Sequence, residues 1–410
     1  MTAVDRSQPE LTVEHAEVVR ATLPLIAGAV DEITEVFYRR LFDDHPELRR
    51  DLFNRGNQAQ GSQSRALAAS IAVYATYLVD PELPHPASML ARIGHKHASL
   101  GITADQYQVV HDNLFAAIVR VLGADVVTAP VARAWDRVYW LMADALIDLE
   151  KQLYIDAGVQ PGQVSRRATV LERTDDTADV AVFRVRAADP AEPLPGFVAG
   201  QYVSVGVRLP DGARQLRQYS LIDAGGDGTL SFAVKRVGRR PGCPAGEVST
   251  WLHEQVWVGD ELEISLPFGD LTVDPDATTP LVLISAGVGV TPMVGILEHL
   301  AARDPGRRVR VLHADRGPGT HPLRERVETL LGRLESAEAD FWYSDAEVEG
   351  ARPGRIDVSV VDLPDDADIY VCGGDGFLDA VRTQLHTMGV PAARVHIEQF
   401  TPTDWRRSGH

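Results

Sequence analysis

The segments AGQYVSV at residues 199–205, RQYSL at 217–221 and AVKR at 233–236 decide the architecture of this chain. Their apolar and polar residues alternate and glycines and prolines separate them, which predicts short antiparallel strands. Arg217, Tyr219 and Ser220 offer a cation, a flat aromatic face and a hydroxyl group close together. A flavin nucleotide needs such groups for its pyrophosphate, its ring system and a ring nitrogen.

The spacing of apolar residues differs on either side of these strands. Residues 11–154 show apolar residues at helical spacing, as at Val30, Ile33, Phe37 and Leu41, and predict an all-α domain. Alternating runs from Val164 onward predict a small antiparallel β-barrel. After Pro280, apolar strands alternate with helices, which predicts an α/β doubly wound parallel sheet. We expect three domains, at residues 1–157, 158–275 and 276–410.

Composition narrows the class of protein. The 40 basic and 58 acidic residues give a net charge of −18, which argues against a nucleic-acid or anionic-membrane partner. No apolar run approaches the roughly 20 residues of a membrane helix, and the N-terminus lacks the features of a signal peptide. Cys243 and Cys372 are too few for a disulfide framework or a cysteine-ligated metal site. We therefore expect a reduced cytoplasmic enzyme with no obligate protein partner.

The order and spacing of the 199–236 motifs resemble the FAD-binding half of the ferredoxin-NADP reductase family. The helical part resembles a globin. Together they make the chain similar to flavohemoglobins over essentially its whole length. The resemblance implies heme b, FAD and NADH or NADPH as cofactors.

The heme ligand is ambiguous from periodicity alone. His97 shares a helical face with Leu90, Ile93 and Leu100, whereas His95 faces a more polar side. His111 is an equally credible ligand because it shares a face with other apolar residues. A neutral imidazole on an apolar face suits heme iron.

The resemblance favours one of these histidines. The Lys-His-Ala-Ser run around His97 is similar to the proximal segment of flavohemoglobins, in which the histidine ligates iron. Tyr107 and Glu150 match the tyrosine and glutamate that complete its hydrogen-bonded triad. On the distal side, Tyr38 matches the tyrosine that hydrogen-bonds bound dioxygen. Three further residues match the phenylalanine wedged against the heme and the polar and apolar residues of the distal pocket, namely Phe53, Gln63 and Leu67.

The flavin-binding residues are likewise assigned by resemblance. Arg217 is expected at the FAD pyrophosphate, Tyr219 against the isoalloxazine and Ser220 at flavin N5, with Tyr202 on the preceding strand. The turn before a short helix predicted at 249–254, with Ser249 near its start, matches the family's pyrophosphate-binding amides. The full set of expected FAD contacts is Tyr202, Arg217, Gln218, Tyr219, Ser220, Gly246, Val248 and Ser249.

A second glycine-rich turn, SAGVGVTPM at 285–293, lies between a predicted buried strand and a helix. Two glycines let the backbone approach a pyrophosphate, and the run is similar to the nicotinamide turn of the ferredoxin reductase group. Its expected contacts are Gly287, Gly289, Thr291 and Pro292. Cys372 and Gly373 match that group's Cys-Gly-Pro, although Gly374 replaces the proline and predicts a looser loop. Phe400 matches the aromatic residue that covers the flavin.

The resemblance implies a nitric oxide dioxygenase. Reduction of alkyl hydroperoxides or quinones is an alternative enzyme activity, and a heme-based oxygen or redox sensor is an alternative of another class. Asp315 and Arg316 end the second strand of the nucleotide domain, where the adenosine ribose is expected. Asp315 suits a free 2′-hydroxyl and Arg316 a 2′-phosphate, and of the two we favour NADH.

Overall fold

The computed structural model describes residues 10–56, 62–80, 82–83, 85–239 and 244–400, with only the backbone at 62–66 and 68. They form two compact units. The first runs to Val164 and includes Pro210–Leu216. The second comprises Ser165–Leu209 and continues from Arg217.

The first unit is helical, as predicted. Its apolar core takes residues from helices throughout the unit. Ile33 is 2% exposed, Phe37 1% and Leu41 0%, which confirms the apolar face expected there. The helices are α1 (Val13–Gly28), α2 (Val30–Asp44), α3 (Pro46–Asp51), α4 (Ser62–Val79), α5 (Ala87–Leu100), α6 (Gln106–Leu122) and α7 (Ala129–Asp156).

A six-stranded sheet in the order β4-β3-β6-β1-β2-β5 belongs to the second unit, except for residues 214–216 of β4, which are counted with the first. Its pairs β1–β2, β1–β6, β2–β5 and β3–β6 are antiparallel. Leu221, just after β4, bridges to Phe232 of β5, so the two edge strands meet and the sheet curls toward a barrel. The elements are β1 (Ser165–Thr177), β2 (Val180–Ala187), β3 (Tyr202–Arg208), β4 (Arg214–Ser220), β5 (Thr229–Lys235), α8 (Glu247–Gln255) and β6 (Glu261–Ser265).

A parallel sheet in the order β10-β9-β8-β7-β11-β12 follows. Leu281 and Leu283 of β7 enter one apolar core, and Val282 and Ile284 enter another on the opposite face. Burial on both faces explains why β7 is apolar without alternation. The elements are β7 (Leu281–Ala286), α9 (Val290–Arg303), β8 (Val309–Asp315), α10 (Arg324–Leu331), β9 (Ala337–Tyr343), β10 (Arg352–Pro353), β11 (Asp368–Gly373), α11 (Asp375–Thr387) and β12 (Val395–Gln399).

One predicted boundary is wrong. The helix expected to begin near Ser249 begins at Glu247, with Gly246 as its N-cap. The Ser249 hydroxyl donates back to the Gly246 carbonyl at 3.2 Å, so this serine lies inside the first turn and does not cap it. Cys372 is buried, and Cys243 lies outside the described residues. Among the helices that the structure describes, none combines the length and apolarity needed to cross a membrane.

Candidate functional site

Side chains from three helices meet in the helical unit. The Nδ1 atom of His97 lies 2.8 Å from Oε1 of Glu150 and 3.0 Å from the Tyr107 hydroxyl oxygen. The Tyr107 hydroxyl donates to the same Oε1 atom at 2.6 Å. Because a carboxylate only accepts hydrogen bonds, Nδ1 of His97 is the donor to Glu150, and Nε2 is the ring nitrogen outside this network.

Burial strengthens this network. Glu150 is 2% exposed and Tyr107 8%, so water does not compete for the carboxylate. Burial, followed by the charge of Glu150, raises the pKa of Tyr107 far above its usual value, so the phenol remains a donor. The His97 side chain keeps 33% exposure, and no described residue hydrogen-bonds its Nε2 atom. The free nitrogen is therefore available to a ligand.

Close helix packing brings the carboxylate to the imidazole. A Cβ atom on Gly94 of α5 would lie 2.5 Å from Cδ2 of Leu149 on α7, so a larger residue at this position would displace the Leu149 side chain. Leu149 precedes Glu150, and Gly94 lies one turn before His97. Sequence reasoning missed Gly94, although a glycine inside a helix is a signal for close packing.

Two further tyrosines, also missed, hold the ends of this site. The Tyr139 hydroxyl donates to the Tyr107 carbonyl at 2.7 Å, and the Tyr154 hydroxyl donates to the Ile102 carbonyl at 2.6 Å. Both tyrosines belong to α7, the helix that carries Glu150. One helix thus positions the carboxylate and also the backbone on both sides of the turn after His97.

His111, the other candidate ligand, has different hydrogen-bond partners. Nε2 of His111 lies 2.7 Å from Oδ1 of Asp136, and its Nδ1 lies 2.9 Å from Oδ1 of Asp112. Its ring stacks on Phe115 with centroids 4.4 Å apart. Both ring nitrogens face carboxylates and no lone pair is left for a metal, so the apolar face noted in the sequence is a packing face. His95 lies two residues from His97 on α5, on another side of the helix.

The aromatic residues expected on the distal side form one cluster. The ring of Tyr38 lies 5.6 Å from Phe42 and 5.8 Å from Phe53, and Phe42 and Phe53 are 5.4 Å apart. Tyr38 is 6% exposed. Leu67 packs against the same core, and the side chain of Gln63 lies outside the described part of the chain. An unengaged imidazole nitrogen and a rigid aromatic cluster in one helical core fit the needs of a heme.

The flavin motif lies on β4 of the second unit. Ser220 is 7% exposed, and Tyr219 stacks on Phe232 with ring centroids 5.6 Å apart. The side-chain amide of Gln218 donates to the Ser204 hydroxyl at 2.9 Å, which fixes the strand against β3. Contacts with β3 and β5 therefore fix the strand that carries Arg217, Tyr219 and Ser220.

The N-terminus of α8 is built for close approach. A Cβ atom on Gly246 would lie 2.7 Å from the Ser249 hydroxyl and 3.0 Å from Cβ of Val237. The Gly246 N-cap provides no side-chain cap, so the amide of Val248 in the first turn is offered to an anion. Ser249 supports this turn from inside, and binding of a pyrophosphate here stays a prediction.

The second glycine turn packs tightly against β11. Gly287 has φ of 53°, and a Cβ atom on Gly289 would lie 2.3 Å from the Cys372 carbonyl oxygen. Thr291, in the first turn of α9, donates to the Val288 carbonyl at 3.0 Å and so links the glycine turn to the helix that contains Pro292. The carboxyl ends of β7 and β11 consequently form one edge, where a dinucleotide fits in sheets of this topology.

One unanticipated contact ties the flavin strand to the nucleotide turn. A Cβ atom on Gly295 of α9 would lie 2.2 Å from the Leu221 carbonyl oxygen, directly after Ser220. The helix that starts at the glycine turn therefore lies against the end of β4. The signal in the sequence was again a glycine inside a helix.

The C-terminal strand brings the last expected residues to this edge. Cys372 pairs in register with Glu398 and Gly373 with Gln399, so Phe400 follows at the same carboxyl edge and is 47% exposed. Gly374 is the N-cap of α11, and a Cβ atom there would meet nothing within 4 Å. Position 374 therefore has room for a side chain, and the loop adopts this conformation with glycine in place of proline.

Both compact units have counterparts among known proteins. The globin family model matches residues 35–146, and the oxidoreductase NAD-binding domain model matches residues 283–383. A flavohemoprotein of Bordetella parapertussis is 39% identical over 95% of this chain and 98% of its own length. The crystal structure of flavohemoglobin from Malassezia yamatoensis with bound FAD and heme is 37% identical, with a TM-score of 0.86 over 95% of this chain and 99% of that one. The flavohem-like FAD/NAD-binding domain of nitric oxide dioxygenase from Vibrio cholerae is 33% identical, with a TM-score of 0.54 over 58% of this chain and 99% of that one.

Proposed function

The chain belongs to the flavohemoprotein family, and on this premise we propose that it is a nitric oxide dioxygenase. It is an oxidoreductase that joins a heme globin to an FAD- and NAD-binding reductase. The proposed reaction joins nitric oxide and dioxygen into nitrate and consumes one electron for each nitric oxide molecule. NADH or NADPH supplies the electrons.

Each cofactor has residues that fit it. We propose that His97 holds heme through Nε2, that Arg217, Tyr219 and Ser220 bind FAD, and that the Gly287 turn binds the nicotinamide nucleotide. When bound, heme supplies an iron that takes one electron at a time, FAD splits electron pairs, and the nicotinamide supplies a hydride. The remaining chemistry belongs to the protein side chains.

The hydrogen bond from His97 to Glu150 carries the proposal. A carboxylate that accepts the Nδ1 proton gives the imidazole anionic character and makes Nε2 a stronger electron donor. An electron-rich ligand favours activation of dioxygen over its simple storage. The Tyr107 hydroxyl holds Glu150 in place on the side away from Nε2.

We also propose that the Tyr38 hydroxyl donates a hydrogen bond to the oxygen substrate. Phe42 and Phe53 pack against the Tyr38 ring and fix its direction. A phenol in this apolar cluster is a directed donor where water is excluded, and such a donor stabilises developing negative charge.

In the reductase, we propose that Ser220 donates to the flavin ring and that Phe400 covers it until the nicotinamide enters. The exposure of Phe400 at the end of β12 leaves it room to move. Gln399 donates to Asp375 at 2.5 Å, which holds the strand while the aromatic residue swings.

Nitric oxide consumption by the purified holoprotein tests the proposal. With NADH in aerated buffer we expect one nitrate for each nitric oxide consumed. Tyr38→Phe removes a hydrogen bond of about 1.5–3 kcal/mol, so dioxygen should dissociate about ten- to a hundred-fold faster and turnover at low oxygen should fall. Tyr77→Phe on α4 is the matched control and should behave as the unaltered protein. Absence of nitrate, or faster turnover with an alkyl hydroperoxide or a quinone, would overturn the proposal.

A further inference from the structure

The end of β8 lies where the adenosine half of a dinucleotide is expected. In the parallel sheet, β7 is flanked by β8 on one side and β11 on the other, and the chain order reverses there. Dinucleotides lie across such a reversal at the carboxyl ends of the strands, with the adenosine ribose beside the second strand. Asp315 ends β8 and Arg316 follows it. These two residues offer opposite charges to the ribose.

Asp315 points into the protein. Its side chain is 6% exposed. Its Oδ1 atom accepts from the Thr320 hydroxyl and from the Arg316 amide, both at 2.6 Å. Its Oδ2 atom is buried and lies 3.9 Å from Nε2 of His313. The carboxylate is therefore almost wholly covered, and Oδ2 lies against the turn at Gly287, where an added Cβ atom would be 4.0 Å away.

A buried polar cluster holds the carboxylate in this direction. His313 is fully buried, with Nδ1 2.8 Å from the Ser285 hydroxyl, and its ring stacks on His321 with centroids 3.9 Å apart. Burial lowers the pKa of His313 and that of His321, the latter to about 2, so both rings are neutral. The neutral His313 ring, stacked on His321, therefore packs beside Asp315 in a buried cluster.

The Arg316 side chain, unlike that of Asp315, faces solvent. Its amide donates to Oδ1 of Asp315, and its carbonyl accepts from the Asp345 amide at 2.8 Å, so its backbone is fixed on both sides. Its side chain is exposed, and among the described residues its guanidinium makes no hydrogen bond or ion pair. A fixed backbone that carries a free guanidinium is a prepared site for an anion.

We propose that Arg316 binds the 2′-phosphate of the nucleotide and that this protein prefers NADPH to NADH. The inference rests on the proposed function, because it needs the nucleotide to bind at the Gly287 turn. It runs against the preference for NADH drawn from Asp315 in the sequence. A guanidinium pairs with phosphate through two parallel hydrogen bonds, whereas a ribose hydroxyl offers it no charge.

Binding of nucleotide fragments tests the site without turnover. By calorimetry on the holoprotein, 2′,5′-ADP should bind about ten-fold more tightly than 5′-AMP, which lacks the 2′-phosphate. Arg316→Ala should remove this difference, and Arg316→Lys should keep part of it because the charge remains. Equal binding of the two fragments, or a difference that survives Arg316→Ala, overturns the inference.

Flavin reduction in a stopped-flow instrument separates this inference from the proposed function. The ratio of kcat/KM for NADPH to that for NADH should exceed one and fall about ten-fold in Arg316→Ala. Asp315→Asn should leave the ratio unchanged, because this side chain faces inward. A ratio below one overturns the inference and leaves the oxidoreductase intact. If neither nucleotide reduces the flavin, the proposed function itself is wrong.

Discussion

The Nδ1 atom of His97 and the Oε1 atom of Glu150 lie 2.8 Å apart, although 53 residues separate them in the chain. Glu150→Gln keeps the size of the side chain and removes its charge. The imidazole should then donate less electron density, so the reduction potential of the heme should rise and turnover should fall about 10- to 100-fold. Potentiometry and nitric oxide consumption measure the two effects. Tyr107→Phe keeps the carboxylate and should shift the potential less; an equal or larger shift would contradict this order.

We predict that His97→Ala removes the heme absorbance and leaves the flavin bound, because the variant lacks the Nε2 atom proposed to hold the heme. Visible spectra of the purified variant give both readings at once. His95→Ala, on the same helix two residues away, is the control and should retain heme. Heme retained in the first variant and lost in the second would show that the ligand was misassigned.

Arg217→Ala should weaken FAD binding by about 2–3 kcal/mol, because the pyrophosphate loses a charged hydrogen bond. This equals roughly a 30- to 150-fold increase in the dissociation constant. Equilibrium dialysis with the flavin absorbance measures it, and the heme band should be unaffected. Arg186→Ala on β2 removes an exposed arginine from the same sheet and should change nothing. Similar flavin loss in both variants would mean that net charge, and not the motif, holds the flavin.

The stability of the helical unit should fall above neutral pH because of His111. Burial lowers the pKa of His111, but hydrogen bonds to Asp136 and Asp112 outweigh it and raise the pKa above 6.5. A raised pKa in the folded state means that the stabilisation is complete below the unfolded pKa and is lost as pH rises through the folded value.

Thermal unfolding of the holoprotein, followed by the heme band from about pH 6 to about pH 9, measures this loss. His111→Gln cannot become charged, so its melting temperature should depend less on pH over the same interval. The same slope in the variant and in the unaltered protein would assign the pH dependence to other groups.

Sequence patterning determined the architecture. The change from helical spacing to alternation and then to strands buried on both faces predicted a helical, an antiparallel and a parallel part. These patterns succeed because local periodicity reports which face of an element is buried. The glycine turns around Gly246 and Gly289 were equally visible, since close backbone approach excludes any side chain there.

Only the tertiary structure decided which polar partners the buried side chains meet. His97 and His111 both lie on apolar faces, and helical periodicity alone left both as candidate ligands. Helix α7 separates them, because it brings Glu150 to one nitrogen of His97 and Asp136 to one nitrogen of His111, whose second nitrogen meets Asp112. The direction of Asp315 depends in the same way on His313, buried beside it. Periodicity reports burial, but hydrogen-bond partners come from elements distant in the chain.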